Sequence, residues 1–209
     1  MSDAVYQQIR QEILDGGLAP GQPLVEASLS ETYAVSRTPI REALHRLQQD
    51  GLVERSDRGL RVSVASEEQI LELYRARILL ESAISEDAAM RRNDYDLAVL
   101  DRCLASGVTQ DDDPDVRTKD NDRFHEAVWA ASHNKTLVDL VSRVDIHLRR
   151  YPQTTLLYPG RWERAAEQHR AIVDAIRARD ADAARELSRE HHQEAQQIRL
   201  RMWAENVQR

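Results

Sequence analysis

The stretch VSRTPIREALHRLQQDGLV, from Val35 to Val53, decides how the chain is read. Ile40, Ala43, Leu44 and Leu47 stand at i, i+3, i+4 and i+7, which is one apolar face of a helix. Arg37, Arg41, His45 and Gln48 fall on the opposite face. Pro39 belongs to the first turn whether Ser36 or Thr38 caps the helix, and there its missing N–H costs nothing. Gly51 supplies the stop. A helix packed on one side and basic on the other is either an ordinary solvated surface helix or one that meets a polyanion.

The flanks decide between these. Val5, Ile9 and Ile13 recur at helical spacing, and DGGLAPGQPL (15–24) ends that helix with glycines and prolines. A second short helix fits EASLSETY (26–33), with a turn at Ala34, Val35 and Ser36. After Gly51, LVER (52–55) and LRVSV (60–64) alternate across SDRG, as in a two-stranded hairpin. Three short helices and a hairpin make a winged helix-turn-helix, whose third helix lies in the major groove of DNA. Net charge alone, −7, argues against a nucleic-acid partner. Residues 1–65 hold seven arginines against nine acids, but from Arg37 to Arg61 six arginines face four acids. The basic signal is local, and distribution is what binding responds to.

Few glycines, prolines and aromatics favour helices throughout, so the fold class is mainly α. Cys103 is the sole cysteine, which excludes an internal disulfide and a cysteine-built zinc site. The N-terminal stretch is amphipathic and carries acids, unlike a signal peptide. No apolar run approaches the roughly 20 residues a membrane helix needs. The expected address is the cytoplasm, with no membrane partner.

Beyond Ala65 the pattern changes to long helices, so the chain divides into a DNA-binding domain at 1–65 and an all-helical bundle at 66–209. The helices run through 66–92, 94–108, NDRFHEAVWAAS (121–132), 135–151, Trp162 to Arg179, and from Ala181 onward, with a polar break at TQDDDPD (109–115). Two of these carry a histidine at the centre of an apolar stripe. One stripe is Trp162, Ala165, Ala166, His169, Ile172, Val173 and Ile176; the other is Ala184, Leu187, His191, Ala195, Ile198 and Met202. His125 shares a face with Asn121, Val128, Trp129 and Ser132. A single inward histidine is usually a hydrogen-bonded core residue. Three in so small a domain are costly to bury separately, and one divalent metal satisfies all three as neutral imidazoles. Asn121, one turn before His125, offers an oxygen as fourth ligand, with Asp122 as its substitute. His147 and His192 are weaker candidates, and His192 is expected to face away. Arg77 and Glu81 share the inward side of the first long helix with Tyr74. They are either a seam ion pair or, for Arg77 beside Tyr74, the contact for an anionic ligand.

PLVEASLSETYAVSRTPIREALHRLQQDGLVERSDRGLRV resembles the DNA-binding domain of the GntR family of bacterial transcription regulators. LYRARILLES, NDRFHEAVWAASHN, EQHRAIVDAIRARDADAA and REHH resemble the FCD ligand-binding domain of its FadR branch, in the shorter VanR-like form. The resemblance implies that Ser36, Arg37, Thr38 and Arg41 contact operator DNA, and that a wing around Gly59 enters the minor groove. His45 and Arg58 complete that expected face. It implies further that Asn121, His125, His169 and His191 hold a divalent metal beside a small carboxylate effector. Zinc is the first expectation, with nickel, manganese or iron as alternatives. Two positions depart from the pattern: Ala27 replaces a common arginine, and Asn121 replaces a common aspartate. The expectation is a homodimeric, ligand-responsive repressor on palindromic double-stranded DNA, not an enzyme. A regulator that senses the metal itself is the alternative. A metal enzyme is the rival from another class, and it lacks a general base aimed at the histidines.

Overall fold

A computed structural model describes residues 2–106, 113–149 and 155–207. The chain falls into two compact units, Met1–Ile70 with Asp145–Pro152, and Leu71–Val144 with Gln153–Arg209.

In the first unit, α1 (Ser2–Leu14) buries Val5, Tyr6, Ile9 and Ile13, and α2 (Glu26–Thr32) buries Leu29. Helix α3 (Arg37–Gln49) buries Pro39, Ile40, Ala43, Leu44 and Leu47, the face read from the sequence. Ser36 is its N-cap but makes no side-chain capping bond. Pro39 is the third helical residue, so a donor that a serine cap often engages is missing. At the other end Gly51 adopts φ 70°, Leu52 N–H donates to the Leu47 carbonyl, and Gly51 N–H donates to that of Gln48. That is a complete Schellman stop, with Leu47 and Leu52 buried beside it. Strands β1 (Val53–Ser56) and β2 (Gly59–Val62) pair antiparallel, with Val53 opposite Val62 and Ser56 opposite Gly59. Both strands sit one residue nearer the turn than the alternation suggests, because Ser56 and Gly59 pair and only Asp57 and Arg58 turn. Gly59, at φ 116°, holds a conformation that side chains disfavour. Three helices and this wing around one core are a winged helix-turn-helix.

Six long helices follow, α4 (Glu67–Arg91), α5 (Asp94–Ser106), α6 (Pro114–Ala131), α7 (Lys135–Arg149), α8 (Arg161–Ala178) and α9 (Ala181–Val207). Apart from the first turn of α4 and the end of α7 from Asp145, which belong to the first unit, they make the second unit a helical bundle. Its core joins Ile84, Leu100, Phe124, Val128, Trp129, Val141, Ile172 and Ile176. Helix α6 starts about two turns earlier than the apolar pattern indicates. The Asp113 side chain accepts from Asp115 N–H, and Pro114 occupies a first-turn position. The start signal therefore lies inside the acidic break, of which residues 109–112 fall outside the described residues, as do 107–108 at the expected end of the preceding helix. Helices α4 and α8 end beside each other, and each caps the other. Arg92 donates to the Arg177 carbonyl at 2.6 Å, while Arg179 donates to the Met90 and Arg92 carbonyls at 2.9 and 3.1 Å. The carbonyls left over at a helix C-terminus are satisfied in this way. No described helix is long and apolar enough to cross a membrane.

Candidate metal centre

Helices α6, α8 and α9 bring His125, His169 and His191 together, each buried, with one nitrogen from each ring within 4.8 Å of the others. The ring centroids stand 5.2 Å apart for His125 and His169, 5.3 Å for His125 and His191, and 4.7 Å for His169 and His191. Phe124 stacks on His169 at 3.8 Å and fixes the plane of that ring. Burial disfavours the charged form of all three. The pKa of His169 falls to about 3, through burial first and then the charges of Arg161 and His192. His125 and His191 are likewise lowered well below the usual histidine value, again with burial as the largest cause. Neutral imidazoles are the form that binds metal.

The polar atoms around the rings fit that role. His191 Nδ1 lies 2.9 Å from Gln168 Oε1 and 3.3 Å from an Arg161 Nη. An amide oxygen accepts only, so the shorter contact puts the proton on Nδ1, the Arg161 Nη donates to the His191 carbonyl instead, and Nε2 keeps its lone pair for a ligand. His169 Nε2 and Asn121 Oδ1 are both buried without a hydrogen-bond partner. Buried polar atoms rarely stay so. Both residues line one cavity of about 20 Å³, with room for about one water. Asn121 and His169 thus each leave a buried polar atom unpartnered beside the same small cavity.

Helix α4 adds a fully buried carboxylate, that of Glu81. Trp129 Nε1 donates to Glu81 Oε2 at 2.7 Å, and Arg77 Nε donates to Glu81 Oε1 at 3.2 Å. Burial pushes the Glu81 carboxyl up, but contact with His192 and the Arg77 guanidinium outweigh it and lower its pKa. Arg77 and Tyr74 are thus on the cluster's side of α4, Tyr74 with Arg199 3.5 Å from its hydroxyl. His192 corrects the sequence reading. It does not face away: it is 3% exposed, with its ring 4.8 Å from His191 and its Nε2 3.3 Å from Glu81 Oε1. Counting one stripe on α9 assumed one neighbour. Ala184, Ser188, His191, His192, Ile198 and Arg199 are all buried, the wide stripe of a helix with partners on two sides. His147 takes no part; its ring lies against Gly51, and its Cε1 stands 2.9 Å from where a Cβ there would be.

Arg161 escaped the sequence reading altogether. It is 3% exposed and donates to Gln168 at 2.7 Å and to the His191 carbonyl at 3.3 Å. It also lines an open cleft of about 510 Å³ with Arg164, Gln193, Glu194, Gln197 and Arg201. Nothing in the periodicity of α8 marks its first residue as buried.

On the first unit, Ser36, Arg37, Thr38, Arg41 and His45 form one exposed face of α3, and Arg58 and Gly59 are exposed at the wing tip. Arg41 is engaged: its Nε and one Nη donate to the two oxygens of Glu26 at 3.0 and 2.8 Å.

The bacterial regulatory proteins, gntR family, match residues 1–61, and the FCD domain matches residues 72–194. The HTH-type transcriptional regulator YdhC of Bacillus subtilis is 31% identical, over 87% of this chain and 83% of its own length. The galactonate operon transcriptional repressor of Escherichia coli is 28% identical, over 90% of this chain and 91% of its own. The solved structure of Escherichia coli McbR/YncC superposes with a TM-score of 0.76 at 23% identity, covering 97% of this chain and 98% of that one. It shares the fold.

Proposed function

The chain belongs to the gntR family of bacterial regulatory proteins and carries its FCD domain, and from that premise we propose a homodimeric repressor whose operator binding is set by a small carboxylate at a metal site. DNA-binding transcription regulation follows from the family itself. The observation that carries the rest is the convergence of three buried imidazoles, with Asn121 Oδ1 and His169 Nε2 left unpartnered in residues that line one cavity. A divalent metal held there offers a Lewis-acidic position to a carboxylate oxygen. His125, His169 and His191 hold it as neutral donors, and Gln168 keeps the His191 tautomer correct. Three imidazoles and an amide leave the cation's double charge uncompensated, which favours an anion as the remaining ligand. Arg77, beside Tyr74, and Arg161 stand on two sides as guanidinium donors, paired with Glu81 and Glu194 until a carboxylate competes for them. The cleft beside Arg161 is the roomy approach, since the cavity at Asn121 takes only a water-sized group. One relative is a galactonate operon repressor, and galactonate is a sugar acid, which supports a carboxylate as effector.

On the DNA side, Arg37 and Arg41 are the base readers, Ser36, Thr38 and His45 flank them, and Arg58 and Gly59 form the wing contact. A two-fold dimer makes the operator palindromic. Such a regulator works in the cytoplasm.

The test is one set of measurements on full-length protein freed of metal by chelator. Zinc, nickel, manganese and iron(II) are added in turn, bound metal is determined by elemental analysis, and operator binding is followed by fluorescence anisotropy with and without candidate carboxylates. About one cation per chain is expected, and none in His125→Leu. Operator affinity should change with carboxylate only in the metal-loaded protein. Wild-type protein that binds no metal would reduce the histidines to core residues. A response to metal without any carboxylate would establish a metal sensor instead.

A further inference from the structure

His192 is the residue that the proposed ligand set leaves unexplained. Its Nδ1 lies 2.8 Å from the Ser188 carbonyl oxygen, one turn earlier on α9. A carbonyl only accepts, so Nδ1 carries a proton. The other nitrogen, Nε2, is buried, makes no hydrogen bond, and stands 3.3 Å from Glu81 Oε1. In a neutral ring that places a lone pair against a carboxylate oxygen, two acceptors facing each other with nothing between. Either Nε2 is protonated, giving an imidazolium against a carboxylate, or a cation belongs there. His125 completes the second arrangement: one donor atom from each of Glu81, His125 and His192 lies within 4.8 Å of the others, and all three residues are buried.

We propose that Glu81, His125 and His192 form a second seat for a divalent transition metal, so that one cation has two alternative donor sets sharing His125. The proposal rests on the reading that this cluster binds metal. The second set already has its supporting bonds. The Ser188 carbonyl fixes the His192 ring, as carbonyls do for histidines that ligate metal, and Trp129 Nε1 holds Glu81 Oε2. Oε1 has two lone pairs, one taken by Arg77 Nε and one facing His192. The seats exclude each other, because a neutral imidazole has one lone pair and His125 can serve one cation at a time. They differ in chemistry. The first is imidazole and amide, suited to zinc or nickel; the second contains a carboxylate and is the better seat for manganese or iron(II). Glu81 is thereby a ligand in its own right, not only the partner of Arg77.

The experiment uses the full chain, stripped by chelator and titrated with cobalt(II), with bound metal and the visible d–d spectrum as readouts. Wild type, His169→Leu and His191→Leu should each bind about one equivalent, the two variants with an altered spectrum, because breaking the first set moves the ion to the second. His169→Leu combined with Glu81→Gln should bind none. If His169→Leu and His191→Leu fold by circular dichroism yet bind no cobalt while wild type binds one, the second seat does not exist and the first stands. If wild type binds none, both fall. A second measurement leaves the histidine core intact. Glu81→Gln is isosteric and should weaken manganese(II) about tenfold or more while changing zinc by less than about twofold. Equal effects on the two metals, or none on either, would overturn the proposal.

Discussion

Arg41 and Glu26 are fifteen residues apart, on different helices, yet the structure joins them through two parallel hydrogen bonds. Glu26 takes Nε and one Nη, the side of the guanidinium, which leaves the end formed by the two Nη groups free. That end is the fork that fits O6 and N7 of guanine. On the proposed groove contact, Glu26 would act as a positioning residue, its charge neutralised by Arg41. Arg41→Ala should weaken cognate operator binding roughly ten- to a hundredfold. Glu26→Gln should do something different: it removes a negative charge, so binding to scrambled DNA tightens, but it frees the arginine, so the cognate-to-scrambled ratio falls. Anisotropy titrations on both DNAs at one salt concentration separate these outcomes. Equal losses on both DNAs for Arg41→Ala would make it a phosphate contact. The sequence pattern placed Arg41 on the exposed face correctly but held no signal for the pairing, since helical periodicity speaks only of neighbours three and four residues away.

At the scale of elements, the ends of helices carry much of what periodicity could not supply. Gly51 announced the end of α3, because a glycine stop has a sequence signature. The start of α6 at Asp113 and Pro114 was equally written in residues, but an acidic run masked it. The crossed caps of α4 and α8 had no signature, for Arg92 and Arg179 reach carbonyls more than eighty residues away. Their contribution can be measured. Arg92→Ala strips the α8 terminus of a donor and should lower stability by about 1–2 kcal/mol in urea unfolding. Arg179 adds a backbone component, since it sits at φ 60° in the left-handed region. Arg179→Gly and Arg179→Ala both lose the guanidinium, but glycine relieves the backbone. The alanine variant should therefore be the less stable by about 0.5–1 kcal/mol. Identical losses would mean that the backbone conformation there is unstrained.

Over the whole molecule, the winged unit and the helical bundle were legible because apolar faces, stops and the hairpin repeat a few local rules. The three histidines were legible for the same reason, as polar interruptions of apolar stripes. What a stripe cannot reveal is how many neighbours its helix has, and so His192, Glu81 and Arg161 emerged as parts of the site only in three dimensions. Burying that cluster has a consequence for the entire fold. His125, His169 and His191 all have pKa values lowered by burial, that of His169 to about 3. In the unfolded chain they titrate near their ordinary value, about 6.5. Between that value and the folded ones the unfolded state binds more protons, so stability must fall as pH drops, fully present above about 6.5 and lost progressively below it. Glu81 adds to the loss only further down, since its folded pKa is lowered from a carboxylate value and its window opens below about 4.5. In metal-free protein the thermal midpoint should therefore decline steadily from pH 7 to pH 5, with proton uptake on unfolding approaching that of three histidines. Bound metal raises the midpoint at pH 7 and must lose part of that advantage over the same interval, because protons compete for the same nitrogens in the unfolded chain and in the site. Replacing His169 with leucine removes one titrating group and should flatten the metal-free profile by about a third. A midpoint that stays level from pH 7 to pH 5 in chelated wild-type protein would show that the three imidazoles are not held neutral.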